Sequence, residues 1–163
     1  MPGVGKTYWG MRIAEHCRFP FADLDTFVEE QEKTSIADLF AQYGENGFRE
    51  RESKHLQQLV LTEGNTIVAC GGGTPCFNNN LALMKAEGCV IYLQADVATL
   101  VAQINSSDNI RPLLKGQSDM TAYLEDLLQK RSAFYEQADH ILQTKDISLT
   151  TFDQIITSCI NRQ

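Results

Sequence analysis

No apolar run in this chain of 163 residues approaches the roughly 18 residues that cross a bilayer, so a membrane span is not expected. The amino end carries no charged-then-apolar leader pattern, and the five cysteines, Cys17, Cys70, Cys76, Cys89 and Cys159, are odd in number and form no C-x-x-C pair. Free thiols in a reducing cytoplasm are therefore expected. The three histidines, His16, His55 and His140, lack metal-ligand spacing, which predicts surface or packing roles and no structural zinc. Basic residues are dispersed and the net charge is -7, so no nucleic-acid groove is expected and any bound phosphate should be small and locally held. Repeats, low-complexity tracts and linkers are also missing. With 43% hydrophobic and 21% charged residues, the composition is that of one soluble globular domain over residues 1–163, expected to work as a monomer.

One further absence is local. Gly3-Val4-Gly5-Lys6-Thr7 looks like the back half of a phosphate-binding loop, G-x-x-x-x-G-K-[ST], whose leading Gly would fall one position before Met1. In such a loop the glycines let backbone N–H groups turn toward an anion, the Lys reaches the β and γ phosphates, and the Thr hydroxyl binds magnesium. A helix opening at Thr7 adds its positive end to the same site. The bland alternative is a Gly-rich turn before a helix.

Downstream, Trp9, Ile13, Ala14 and Cys17 recur at helical spacing, and Phe19 to Leu24 reads as a short strand. Its period of two sends Asp23 and Asp25 out of the strand end together, as metal or substrate ligands or as a helix cap plus a turn residue. Thr34, Ser35 and Asp38 precede a short helix stopped by Gly44, and Gly47 leads into a longer one. Arg49 in that helix's first turn opposes the dipole, which suggests that it forks onto a carboxylate or pairs with Glu52. Thr66 to Cys70 is an apolar strand running into Gly71-Gly72-Gly73, where a ligand could approach the backbone closely. A helix over 81–86, a strand over 89–93 and a helix capped by Asp96 follow. Residues 105–119 read as a long loop of the lid kind, with Pro112 holding Arg111 extended, either over a phosphate or in solvent. Met120 to Phe134 is a helix with Arg131 near its end, where the dipole alone would favour it; a strand at His140 to Leu142 and a helix opened by Thr150 and Asp153 close the chain. Alternating strands and helices imply an α/β fold, a parallel sheet covered on both faces, with its ligand crevice at the strand carboxyl ends.

The ordered set G-x-G-K-T, D-L-D, F-R-x-x-E, G-G-G, R-P-L and R-x-x-x-Y resembles shikimate kinase over essentially the whole chain. The resemblance implies the three-layer P-loop kinase fold of the nucleoside monophosphate kinase type, with a substrate-binding insert at about residues 27–55 and a lid at about 105–119. It implies ATP-dependent phosphorylation of the 3-hydroxyl of shikimate, a step toward chorismate and the aromatic amino acids. ATP would meet Gly3, Val4, Gly5, Lys6, Thr7 and Arg111, with Mg²⁺ at Thr7 and Asp23. Shikimate would meet Asp25, Arg49, Gly71, Gly72, Gly73 and Arg131. Lys6, Asp25 and Arg111 would be catalytic, and Glu52 would hold Arg49 in place. Cys70 departs from the Ser or Thr more usual before the triple Gly, and the lid carries a single Arg. A gluconate-type kinase of the same fold and a nucleotide-binding module without turnover are the alternatives. Since a phosphate loop is entered from a buried central strand, the functional protein is expected to start about ten residues upstream, leaving a gap in the sheet here.

Overall fold

The computed structural model describes residues 1–61, 64–106 and 119–160. Helix α1 spans Lys6–Cys17 and starts at Gly5, whose φ of 84° is left-handed and suits glycine. Strand β1 is Phe21–Asp23, and helix α2, Leu24–Glu32, begins immediately after it. Sequence periodicity does not mark α2, and its position changes the reading of Asp25. That residue lies in the first turn of α2 rather than on the strand, while Asp23 is the N-cap and accepts from the backbone N–H of Asp25 at 3.0 Å. A cap of this kind stabilises a helix by about 1 kcal/mol.

Helix α3, Ile36–Val60, is two helices joined at Gly44, where φ is 66° and ψ is -175°. The expected stop at Gly44 is thus a kink, and the second half continues from it. Strand β2, Ile67–Ala69, ends in the triple Gly, and a 3₁₀ turn at Thr74–Cys76 leads to α4, Asn80–Glu87. Strand β3, Ile91–Gln94, is followed by α5, Val97–Asn105, which Asp96 caps through the Thr99 N–H at 2.7 Å. Helix α6 covers Met120–Tyr135, β4 His140–Gln143 and α7 Leu149–Ile160. Ser148, and not Thr150 or Asp153, opens α7, accepting from the Thr151 N–H at 3.2 Å. Asp153 instead reaches His16 at 2.7 Å. Among the described residues no helix is long and apolar enough to cross a membrane.

The strands form two parallel pairs, β1 with β2 and β3 with β4. Between the pairs lies a cavity of about 500 Å³ walled by β2, β3 and α1, through residues such as Ile13, Val68 and Tyr92. One apolar cluster joins α1, β3, α5, α6 and α7 around Val4, Leu100, Leu124 and Phe152. A second joins α2 and α3 around Leu24, Val28, Leu39 and Leu56. The phosphate loop leans on the first cluster. Gly3 has a φ of +75°, and a Cβ there would lie 2.9 Å from Ile104 and 3.3 Å from the Leu100 carbonyl oxygen, so close packing against α5 also requires glycine.

The expectation of free thiols throughout needs correction. Cys89 and Cys159 are joined as a disulfide, while Cys17, Cys70 and Cys76 are free. His140 lies beside that bonded pair. The three residues belong to separate elements, so chain folding and not local spacing brings them together.

Candidate active site

The carboxyl ends of β1 and β2 and the start of α1 converge. Lys6 opens α1 and its ammonium donates to the Met1 carbonyl at 2.9 Å, closing the loop on itself. At the next residue Thr7 Oγ1 donates to Asp23 Oδ2 at 2.8 Å. Asp23 therefore splits its carboxylate, Oδ1 capping α2 and Oδ2 facing the loop.

The triple Gly is where the second group of side chains gathers, and each glycine is closed in by a different one. A Cβ on Gly71 would meet Asp25 Oδ1, Glu52 Oε1 and Thr74 Oγ1, each at 3.2 Å; one on Gly72 would lie 3.3 Å from the Met1 backbone nitrogen and 3.4 Å from Arg131 Nη1; one on Gly73 would lie 2.7 Å from Arg49 Cζ. Asp25, Arg49 and Arg131, distant in sequence, thus border one short backbone run. Arg131 lies in α6 before its last turn, so the helix dipole explains its place less well than its neighbours do.

Arg49 is 5% exposed and Glu52 1%. Arg49 Nη1 donates to Glu52 Oε2 at 2.8 Å, and Nη2 reaches the more exposed Glu45 at 3.2 Å. The guanidinium also lies over the rings of Phe77 and Phe48, 4.5 and 5.0 Å from their centroids. Its Nε is buried and has no hydrogen-bond partner among the described residues. Glu52 Oε1 accepts from Thr74 Oγ1 at 2.8 Å, so the pair is fixed from both ends.

Several supporting residues escape sequence reasoning. Ser53 donates to Asn80 Oδ1 at 2.6 Å, Asn80 donates to the Thr74 carbonyl at 3.0 Å, and Asn78 donates to the Arg49 carbonyl at 2.8 Å. Asn78 and Asn79 have φ values of 50° and 59°. The Asn78-Asn79-Asn80 run was the available signal, because Asn tolerates left-handed backbone. Tyr135, the last residue of R-x-x-x-Y, donates to the Gly72 carbonyl at 2.6 Å. Burial pushes its phenol up to about 12, opposed by Arg131.

Cys70 follows β2 directly and lies inside the same group. Burial pushes its thiol up to about 12, the Glu52 charge adding to the rise and Lys6 opposing it, with Asp25 and Asp23 contributing further. At neutral pH it is a neutral thiol. Arg111 and most of the 105–119 loop lie outside the described residues.

A family model described as shikimate kinase matches residues 2–162. The chain belongs to the shikimate kinase family. A shikimate kinase of Azobacteroides pseudotrichonymphae genomovar. CFP2 is 36% identical over 149 residues, which is 90% of this chain and 88% of that protein. One of Clostridium botulinum (strain Loch Maree / Type A3) is also 36% identical, over 87% of this chain and 82% of its own. Among solved structures, the shikimate kinase from Bacteroides thetaiotaomicron superposes with a TM-score of 0.88 at 28% identity, covering 95% of this chain and 93% of that one. That from Acinetobacter baumannii in complex with shikimate gives 0.84 at 31%, covering 96% and 87%. A gluconokinase from Sinorhizobium meliloti 1021 gives 0.55 at 14% identity, covering 93% and 82%, which shows a shared fold alone. The P-loop kinase α/β fold of shikimate kinases is thus the fold of this chain.

Proposed function

We propose that this chain transfers the γ-phosphoryl group of ATP to the 3-hydroxyl of shikimate. The observation that carries the substrate assignment is the buried Arg49 guanidinium, whose Nε has no partner among the described residues, set beside the Gly71–Gly73 backbone with Arg131 at Gly72. Two cationic forks beside a run of glycines, which carry no side chains of their own, suit a small carboxylated polyol. Arg49 and Arg131 clamp the carboxylate, Glu52 holds Arg49, and the glycines admit the ring to the backbone.

Asp25 accepts from the substrate hydroxyls and takes the proton of the attacking one as oxygen bonds to the γ phosphorus. The bond from that phosphorus to the β-bridging oxygen breaks, and ADP leaves. Backbone N–H groups from Gly3 to Thr7 bind the phosphates, and Lys6 leaves the Met1 carbonyl to neutralise the charge that develops there. Thr7 Oγ1 and Asp23 Oδ2, hard oxygens 2.8 Å apart beside the loop, suit Mg²⁺, directly or through its waters. That ion would supply positive charge to the β and γ oxygens. Arg111 is assigned to the same phosphates on the resemblance of its R-P-L segment. The reading extends to a cytoplasmic monomer that acts on ATP and shikimate and engages neither nucleic acid nor membrane.

ADP release in the presence of Mg-ATP tests the function directly. Turnover should require shikimate and not occur with gluconate; equal turnover on gluconate, or none on shikimate, overturns the assignment.

A further inference from the structure

At the amino ends of β3 and β4, the opposite end of the strands from the phosphate loop, three ligand-bearing side chains meet that phosphoryl transfer does not use. Cys89 precedes β3, His140 opens β4, and Cys159 is the penultimate residue of α7. One donor atom from each lies within 4.8 Å of the others. The cysteines are joined as a disulfide with Cα atoms 5.8 Å apart. Independently, His140 Nε2 is buried and has no hydrogen-bond partner among the described residues. A buried ring nitrogen in that condition costs free energy unless something else engages it.

The backbone around these residues is held in register. The His140 N–H donates to the Val90 carbonyl at 3.1 Å, and the Val90 N–H donates to Asp139 Oδ2 at 2.9 Å. Lys85 lies 3.8 Å from the same Asp139 carboxylate. Two of the three ligand positions therefore sit at the amino ends of adjacent parallel strands, Cys89 just before β3 and His140 opening β4, and the third is brought by α7.

We propose that Cys89, His140 and Cys159 form a thiol-gated binding site for a borderline-soft divalent cation of the zinc class. In the oxidised state the sulfurs bond to each other and the site is closed. A low-molecular-weight thiol opens it: two such thiols give up two electrons and two protons to the protein disulfide, leaving two protein thiols and the small molecule's own disulfide. Binding the cation then releases both thiol protons, and two thiolates and the neutral imidazole coordinate it. Thiolate and imidazole favour zinc over magnesium, which takes oxygen ligands. Ligands around a tetrahedral ion with bonds of about 2.0–2.3 Å stand roughly 3.3–3.8 Å apart, a spacing that side-chain rotation can reach from the present arrangement. Water fills the fourth position.

Either state ties α7 to the β3–β4 pair. Helix α7 in turn packs on α1, with Trp9 and Phe152 centroids 5.9 Å apart and His16 on Asp153 at 2.7 Å. The clasp thus secures the helix that backs the phosphate loop, without touching the phosphates.

Cobalt(II) titration of the full chain, reduced with a phosphine, tests the proposal. One equivalent should bind with thiolate-to-cobalt charge-transfer absorption, which the oxygen ligands near Thr7 cannot give, and zinc should displace it. Oxidised protein and C159S should lack that absorption. H140A retains both thiols and should bind more weakly by at least the roughly tenfold that losing a mere supporting partner costs a metal site. If C159S fails to fold by circular dichroism, the oxidised wild type is the same control. No absorption in the reduced wild type, equal absorption in C89S/C159S from Cys17, Cys70 or Cys76, or unchanged affinity in H140A would each overturn the site.

Discussion

Gly73 illustrates how a residue can be required for the space it leaves. Its φ of -86° is open to any amino acid, unlike that of Gly3 or Gly5, yet a Cβ would lie 2.7 Å from Arg49 Cζ. Gly73→Ala should therefore push the guanidinium aside, raising KM for shikimate about tenfold or more while ATP affinity stays within about twofold. Steady-state kinetics with each substrate varied in turn checks this, and an unchanged KM for shikimate would remove Arg49 from the substrate site. Glu52→Gln approaches the same guanidinium from its other side. With exposures of 5% and 1%, Arg49 and Glu52 have little water to fall back on. Removing one charge of a buried pair costs about 3–5 kcal/mol, so urea unfolding should show a loss of that size. Loss of well under 1 kcal/mol would mean that Glu45, which also reaches Arg49, suffices as its counterion.

Among the elements, the junction of β1 and α2 carries two duties on one carboxylate. Asp23 Oδ1 caps α2 and Oδ2 receives the Thr7 hydroxyl. Asn caps a helix about as well as Asp but offers a cation a neutral oxygen, so Asp23→Asn separates the duties. Thermal stability without ligand should stay within a few degrees, whereas Mg²⁺-dependent nucleotide affinity should fall at least tenfold by calorimetry; a fall in stability with affinity intact would assign Asp23 to capping alone. This junction also marks what sequence could and could not convey. The strand, the carboxylates and the loop facing them were legible, because each has a local signal in apolar run, turn and glycine. Helix α2 was not, since its buried face comes down to Leu24 and Val28, too few positions to set a period of 3.6. The Thr74, Asn80 and Ser53 network was hidden for a different reason, as polar residues gain meaning only once burial is known. Residues 89, 140 and 159 are a stronger case, since no spacing rule connects three separate elements.

At the scale of the whole molecule, the two strand pairs and their helices enclose ionisable groups that burial keeps protonated. Burial pushes the Cys70 thiol from 9.0 to about 12 and the Tyr135 phenol from 10.0 to about 12, and it also raises Cys76 and Tyr92. In each case the folded chain holds its proton more tightly than the unfolded chain. Above about pH 9 the unfolded chain begins to release thiol protons that the folded one retains, and above about pH 10 the phenols follow. The stability these groups contribute is therefore complete below about pH 9 and is lost progressively as pH rises toward 12. Urea unfolding at several pH values from about 8 to 11 should show a steepening decline. The double variant Cys70→Ser, Tyr135→Phe removes the two largest contributors. It should start lower, because Tyr135 no longer donates to Gly72, yet decline less steeply. Parallel declines in wild type and variant would mean that alkaline unfolding is driven by other groups, and that Cys70 and Tyr135 ionise as readily in the folded chain as in the unfolded one.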